Sequence, residues 1–286
     1  MASPPTLGLF ALNHGAVARE AMERIGPLAE ELGYDSLWVG EHVVVPDPRV
    51  KPSPMEPEDP ILDGLVSLAF LASRTERILL ATGIVILPQR NPLVLAKQLA
   101  SVDVLSGGRL VFGLGVGYLE PEMSAIGVAM ERRGSRADEY LAAMRALWEQ
   151  EKPSFEGEFV SFSGVNAYPR PIQRPLPVIV GGRTAAAHGR AVRHSDGWYG
   201  FWLDLDRTTE QLDGIRGALN RAGRDGSDFE ITVTPRGRVD AGAVAAYDSL
   251  GVDRLVLIPP FTSPVEEIEE FVREHAPARI GATPRP

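Results

Sequence analysis

The sequence predicts a closed (β/α)8 barrel. Short apolar runs alternate with longer amphipathic segments along the whole chain, which is the pattern of parallel strands joined by helices. The alternation occurs eight times, as a closed barrel requires, and 286 residues are enough for one such barrel. The alternative is an open doubly wound sheet, which would need a dinucleotide-type switch point. We therefore expect residues 1–286 to form a single domain.

Apolar runs mark the strands of this barrel. Residues 36–39 follow Gly33, which stands where a helix C-cap belongs, and residues 78–86 are nearly unbroken apolar, as in a strand buried on both faces. Residues 155–162 alternate around Gly157 and predict a hairpin outside the repeat. The eight predicted barrel strands are 7–12, 36–39, 78–86, 110–114, 178–180, 197–201, 231–234 and 254–258.

Amphipathic spacing and capping residues mark the helices. Asn91 and Pro92 suit the N-cap and first position of one helix, and Ser263 with Glu266 predicts a capping box for the last. Six prolines between 46 and 60 make that segment a loop. The predicted helices are 17–32, 63–74, 91–106, 137–148, 204–222 and 241–250, with two more that begin at 184 and 263.

The composition excludes several classes of function. The formal net charge of −9 and the lack of a Lys/Arg run argue against nucleic acid or an anionic membrane as a partner. With no cysteine, the chain has no disulfide, thiolate metal site or cysteine nucleophile. Residues 1–5 lack a basic signal region, and the longest apolar stretch, 78–87, is about half of a membrane span. A cytoplasmic protein with a small-molecule substrate is expected.

Active residues of such barrels lie in the loops that follow the strands. Glu41 and His42 follow the second strand: a histidine can donate or accept a proton near neutral pH, and an adjacent carboxylate can orient it. A strand end with a satisfied histidine is the alternative interpretation. His14 follows the first strand and Trp202 the sixth, and we predict that both shape a substrate site. The alternative for His14 is an ordinary turn.

Glycines follow two other strands. Gly181, Gly182, Arg183 and Thr184 connect a strand to a helix, where an anion could approach the backbone at the helix N-terminus; a tight turn is the alternative. The G-x-G-x-G spacing at 113–117 is a poor dinucleotide fingerprint. The five histidines show no ligand spacing, so no metal site is predicted, and there is no G-x-S-x-G nucleophile elbow.

Four segments carry a resemblance over nearly the whole chain. They are ELGYDSLWVGEHVVVP at 30–46, TERILLATGIVILPQRNPLVLAKQLASVDVLSGGRLVFGLGVGYLEPE at 75–122, RADEYLAAMRALW at 136–148 and PLPVIVGGRT at 175–184. With these segments the sequence resembles the luciferase-like monooxygenase superfamily, specifically its coenzyme F420-dependent oxidoreductases.

The resemblance implies a bacterial luciferase-like barrel with insertions after strands 3–4, a homodimer, and hydride transfer between F420 and a small organic substrate. By resemblance, Glu41 and His42 lie beside the deazaflavin ring, and His42 gives or takes a proton. Three further segments are implied to contact the cofactor: Thr82, Gly83 and Ile84 with a non-prolyl cis peptide at Gly83–Ile84, Gly117 and Tyr118 at the ring edge, and Gly181, Gly182, Arg183 and Thr184 at the phosphate.

The sequence departs from this family pattern in two places, and other functions stay open. Some sugar-phosphate dehydrogenases of the family have a glutamate where Tyr118 stands, and no basic cluster is evident for the polyglutamate tail of F420. An FMN-dependent monooxygenase and a non-catalytic flavin-binding paralogue are the alternatives. A Schiff-base aldolase is disfavoured because no lysine ends a predicted strand.

Overall fold

The barrel is closed and parallel. A computed structural model describes residues 3–285. Its main sheet runs β3-β2-β1-β11-β10-β9-β8-β5-β4, and pairing of β3 with β5 closes it, so the predicted fold is confirmed. The strands are β1 Thr6–Phe10, β2 Ser36–Val39, β3 Leu79–Thr82, β4 Val85–Ile86, β5 Leu110–Gly115, β6 Phe155–Glu156, β7 Ser161–Phe162, β8 Val178–Gly181, β9 Gly197–Leu203, β10 Glu230–Pro235 and β11 Arg254–Leu257.

Helices cover the outside of the barrel. They are α1 Ala18–Glu31, α2 Gly64–Ala72, α3 Pro92–Leu105, α4 Glu120–Ala125, α5 Arg133–Glu149, α6 Ala185–His194, α7 Leu205–Ala222, α8 Ala241–Ser249 and α9 Val265–Glu274. Asn91 caps α3 by accepting hydrogen bonds from Leu93 N and Val94 N, as predicted. The predicted capping box of α9 is wrong: the N-cap is Pro264, which has no side-chain acceptor.

The third predicted strand is interrupted. Residues 78–86 form β3 and β4 with a break at Gly83 and Ile84, where Gly83 N still donates to Val39 O at 2.7 Å. The cis peptides of the described residues all precede proline, so the cis peptide expected at Gly83–Ile84 is wrong. The interruption between β3 and β4 is therefore made with trans peptides.

Most elements outside the eightfold repeat follow the fourth barrel strand, β5. They are α4, the start of α5 and the antiparallel β6–β7 pair, which confirms the predicted hairpin. Within residues 3–285, no helix combines the length and apolar character needed to cross a membrane.

Two apolar clusters hold the barrel together. One fills the space between strands and helices, and the other lies inside the barrel around Phe10, Trp38 and Tyr199. At the N-terminal end of the strands, buried Arg254 pairs with Asp35 and Glu230. The opposite end, where the strands finish, forms the mouth described next.

Candidate active site

The mouth of the barrel contains a histidine held by a buried carboxylate. His42 Nδ1 lies 2.9 Å from Glu122 Oε2, and Glu122 Oε1 accepts a hydrogen bond from Val43 N at 2.7 Å. The Glu122 side chain is fully buried and the His42 ring is 10% exposed. A carboxylate only accepts hydrogen bonds, so His42 donates through Nδ1 and keeps Nε2 for other partners.

The free side of His42 faces Tyr118. The Tyr118 hydroxyl lies 3.5 Å from His42 Nε2, and the two rings meet edge to face with centroids 6.0 Å apart. Burial, with a further contribution from Glu122, raises the pKa of the Tyr118 hydroxyl, so it stays protonated at neutral pH. Nε2 therefore has one long, weak contact and can exchange it for a ligand.

Glu41 does not hold His42, which corrects the role expected of the adjacent carboxylate. Its carboxylate pairs with the Arg90 guanidinium and accepts a hydrogen bond from Ile86 N at 2.6 Å, while Arg90 also reaches Asp63 at 3.1 Å. Burial raises the pKa of Glu41, and Arg90 opposes that effect. Glu41 and His42 leave the strand end in different directions, so Glu41 ties the second strand to the third.

His14 lies in the mouth as a neutral, partly buried ring. Its Nε2 is buried without a hydrogen-bond partner, and its ring meets Phe261 edge to face at 5.4 Å. Burial, and secondarily the nearby His42, lowers the pKa of His14 to about 4. His14 is thus uncharged at neutral pH, and its ring forms one apolar side of the mouth, with Nε2 as its one unpartnered polar atom.

Thr82 and Gly83 are buried beneath the mouth. Thr82 is 1% exposed, and its hydroxyl donates to Gly113 O at 2.7 Å and accepts from Gly113 N at 2.8 Å. A Cβ on Gly83 would lie 3.1 Å from both the Phe10 and Trp38 rings. These two residues therefore support the floor of the mouth from below.

Ile84 is the member of this segment that reaches the mouth. It is partly exposed, and its side chain lies over three glycines: a Cβ would come within 3.3 Å of it from Gly113, 2.8 Å from Gly115 and 2.9 Å from Gly181. These glycines, on the fourth and fifth barrel strands, thus make room for the Ile84 side chain. Ile84 forms an apolar surface on the floor of the mouth.

Gly117 lies in the loop that carries Tyr118. Its φ is +78°, and a Cβ there would meet Ile86 at 2.8 Å and Met123 at 3.0 Å. Its carbonyl accepts a hydrogen bond from Arg133 Nε at 3.1 Å. Gly117 shapes the loop, and Tyr118 provides its half-exposed surface.

The turn at Gly182, Arg183 and Thr184 is exposed on the same rim. Gly182 has φ +125°, and Thr184 caps α6 by accepting from Ala187 N at 3.2 Å. The first turn of a helix leaves N–H groups without helical partners, so this rim offers backbone donors and a cation to an anion. These residues and the apolar Ile84 fit a flat ring with a phosphate-bearing chain.

Phe201 and Trp202 present two adjacent rings at the mouth. Successive side chains of a regular strand point to opposite faces, yet these rings lie 6.4 Å apart with 31° between their planes. The register with β10 shifts between Thr234 and Pro235, and Trp202 has φ of 59°. This bulge turns Trp202 to the side of Phe201, and the two are 48% and 43% exposed.

The contacts of two mouth residues, Glu122 and Asn13, could not be predicted from the sequence, although both lie in loops expected to be active. Glu122 was within the loop expected to be active, but nothing in the pattern connected it to His42. Asn13 is fully buried: its side chain accepts from Gly40 N at 3.1 Å and donates to Gly40 O at 3.0 Å and Leu62 O at 2.8 Å. Within residues 3–285, no group of three or more His, Asp or Glu side chains could hold a metal ion.

Comparison with known proteins identifies the family. The model of the luciferase-like monooxygenase family matches residues 6–279. An uncharacterised protein of Mycobacterium tuberculosis is 38% identical over 265 residues, which are 89% of this chain and 91% of that protein. An F420-dependent glucose-6-phosphate dehydrogenase of Kineococcus radiotolerans is 30% identical over 212 residues, covering 72% of this chain and 60% of the relative.

One further relative names a different cofactor, and two solved structures share the fold. An FMNH2-dependent dimethylsulfone monooxygenase of Pseudomonas putida is 34% identical over 155 residues, 53% of this chain and 42% of the relative. The structure of a long-chain alkane monooxygenase superposes with a TM-score of 0.78 at 14% identity, over 97% of this chain and 91% of the other. An F420-dependent secondary alcohol dehydrogenase superposes at 0.76 with 17% identity, over 95% and 98%. The chain therefore belongs to the luciferase-like monooxygenase family, in which both F420-dependent and FMN-dependent members occur.

Proposed function

We propose that this protein is an F420-dependent oxidoreductase that moves a hydride between the deazaflavin and a small organic substrate. The observation that carries this proposal is the His42–Glu122 pair, which leaves His42 Nε2 available at the barrel mouth. A relative that is F420-dependent by name aligns over 72% of this chain at 30% identity, and the FMNH2-dependent one aligns over 53% at 34%; the longer alignment is our reason to propose F420 first.

The chain provides two surfaces for the cofactor. Ile84 offers an apolar floor for a flat ring, and Tyr118 a half-exposed edge beside it. Gly182, Arg183 and Thr184 offer the phosphate backbone donors and a positive charge on the same rim. When bound, the deazaflavin would supply the two-electron chemistry by accepting or giving a hydride.

The proton is handled by His42. In the oxidative direction a substrate alcohol gives its hydroxyl proton to His42 Nε2 while the hydride on the same carbon would pass to the bound deazaflavin, which leaves a carbonyl. In the reductive direction the protonated ring gives the proton back to the oxygen as the carbon would regain the hydride. Glu122 stabilises the ring in both states because its carboxylate accepts from Nδ1 whether or not Nε2 is protonated.

Cofactor titration tests the proposal. Purified protein is titrated separately with F420 and FMN while tryptophan fluorescence is followed, and bound cofactor is then measured after gel filtration. We expect saturable binding and retention of F420, with FMN weaker by at least about ten-fold. Retention of FMN with no binding of F420 would make the protein an FMN-dependent monooxygenase instead.

A variant of His42 distinguishes an enzyme from a non-catalytic flavin-binding protein. His42→Ala removes the proton-transfer group but leaves Ile84 and the Gly182–Thr184 turn in place. We expect F420 binding within about three-fold of wild type and a loss of turnover of about 100-fold or more. Unchanged turnover in His42→Ala would contradict the role given to this residue.

A further inference from the structure

One segment of the mouth carries backbone strain without a structural need for it. Trp202 is in the left-handed region with φ of 59°, which is unfavourable for a residue with a Cβ. Its side chain is 48% exposed, so the strain is not offset by burial of the ring. Strain kept at an exposed aromatic residue of a binding face points to a role in recognition.

The strain creates a continuous aromatic surface. The Phe201 ring lies 5.3 Å from Phe10 and 6.2 Å from Tyr199, both inside the barrel, and 6.4 Å from Trp202. Phe10 and Tyr199 are buried, so they anchor the wall, while Phe201 and Trp202 expose it to a ligand. We call Phe10, Phe201 and Trp202 the aromatic wall.

The charged side chains around His14 and His42 in the mouth are paired with one another. The Arg90 guanidinium is shared by Glu41 and Asp63, and His42 is held by Glu122. His14 is neutral at pH 7 because burial lowers its pKa to about 4. A charged group brought to these rings would lose its hydration, and Arg90, His42 and His14 offer it no free charge; the cation at Arg183 is the one assigned to the cofactor phosphate.

Resting on the proposed function, we propose that the aromatic wall binds the non-reacting part of the substrate and selects a flat, uncharged, apolar molecule that carries the reacting hydroxyl or carbonyl group. Two adjacent aromatic rings bind a planar apolar group through buried apolar area and through the quadrupole of each ring, and neither contribution needs a charge on the ligand. Phosphorylated sugars and carboxylates are excluded by the same surface.

The fluorescence of Trp202 can report binding at the aromatic wall. Of its four tryptophans, Trp38, Trp148 and Trp198 are buried, and Trp202 is exposed. Wild-type protein, with and without F420, is titrated with 1-phenylethanol, benzoate and glucose 6-phosphate, and the tryptophan fluorescence is followed. We expect saturable quenching by 1-phenylethanol, and binding of the two anions at least about ten-fold weaker. Equal binding of benzoate would overturn the proposal.

Variants distinguish recognition from folding, with affinities measured by calorimetry. Trp202→Gly removes the ring and suits the left-handed backbone, so we expect an unchanged or raised Tm and affinity for 1-phenylethanol reduced at least about ten-fold. Phe201→Ala should weaken binding similarly, Trp202→Phe should keep it within about three-fold, and Tyr168→Ala, exposed outside the mouth, should not change it. Wild-type affinity in Trp202→Gly would assign the ring no role in binding.

The cofactor readout keeps this proposal separate from the previous one. F420 retention is measured on the same variants, and we expect it within about three-fold of wild type because the wall contains none of the residues assigned to the cofactor. If wild type binds no F420 but binds 1-phenylethanol through Trp202, the wall is upheld and the proposed function fails. If F420 binds and 1-phenylethanol does not, the wall is rejected and the proposed function stands.

Discussion

At the scale of single residues, one hydrogen bond between Glu122 and His42 determines how the His42 ring is presented to the mouth. The imidazole has two nitrogens, and the contact between Nδ1 and Glu122 at 2.9 Å determines which of them faces the mouth. The second contact of Glu122, to Val43 N, holds the loop on which His42 lies. Loss of the carboxylate therefore affects both the tautomer and the position of the ring.

Glu122→Gln tests this arrangement. The amide can still accept from Val43 N but no longer provides a carboxylate to stabilise the protonated ring, so we expect turnover to fall by about 10–100-fold. In 15N NMR spectra the fraction of the Nδ1–H tautomer of His42 should also fall. Glu120→Gln, in the exposed part of the same helix turn, is the matched control. A tautomer that does not change would show that Glu122 is not what orients His42.

His14 makes the stability of the protein depend on pH. Its folded pKa of about 4 is below the ordinary 6.5, so between these values the unfolded chain binds a proton that the folded chain does not. The contribution of His14 is complete above pH 6.5 and is lost as the pH falls to about 4. A shift of this size corresponds to at most about 3 kcal/mol.

The measurement is the free energy of unfolding in urea at several pH values between 7 and about 4. Wild type should lose more stability over this range than His14→Gln, which does not titrate, by up to about 3 kcal/mol. The two proteins differ at this one residue, so the difference between their curves reports on His14. Parallel curves for the two proteins would mean that His14 is not neutral in the folded state.

At the scale of elements, glycines determine how closely the strands approach. Gly113 on β5 lies against the Thr82 carbonyl of β3, and a Cβ at this position would collide with that backbone oxygen. Thr82 also exchanges two hydrogen bonds with Gly113. The two strands cannot separate to make room without breaking these bonds.

Gly113→Ala should therefore be strongly destabilising. We expect a loss of about 3 kcal/mol in the free energy of unfolding, measured by urea denaturation, because the clash is with backbone. Gly217→Ala is the control: it lies within α7, where a Cβ would meet only the flexible end of Arg221 at 3.3 Å. That variant should gain up to about 1 kcal/mol from helix propensity. Similar effects of both substitutions would contradict the close approach of β3 and β5.

At the scale of the molecule, the barrel has a charged closure at the end opposite the mouth. Arg254 pairs with Asp35 at 2.6 Å and with Glu230, and Arg285 reaches Asp35 at 3.1 Å. The Arg254 guanidinium also lies 5.7 Å from the Trp38 ring centroid. Residues from the beginning, middle and end of the chain thus meet at one buried cation.

Arg254→Met should cost about 3–5 kcal/mol because it leaves the buried Asp35 carboxylate with only Arg285. Thermal and urea unfolding measure this loss. Arg216→Met, which removes an exposed pair with Asp213, should change stability by no more than about 0.5 kcal/mol. If Arg254→Met were as stable as Arg216→Met, the closure would contribute nothing to the fold.

The sequence predicts the barrel well because periodicity and caps are local. Asn91 and Gly33 indicate helix ends within a few residues, and unbroken apolar runs indicate buried strands. The partner of His42 was not predictable in this way, since Glu122 is 80 residues away along the chain. Adjacency of Glu41 to His42 suggested a pair, but neighbouring side chains diverge at a strand end. The rotation of Trp202 by its bulge likewise needs three-dimensional register.

Asn13 has a consequence for how the mouth can vary. Its side chain binds both Gly40 and Leu62, so the proline-rich loop starts and finishes against the same buried amide. Since the two ends of this loop are held together independently of what lies between them, changing its length costs little closure entropy. We therefore expect that the sequence and length of segment 44–60, beside the entrance, can be changed to admit other molecules while His14 and His42 keep their places.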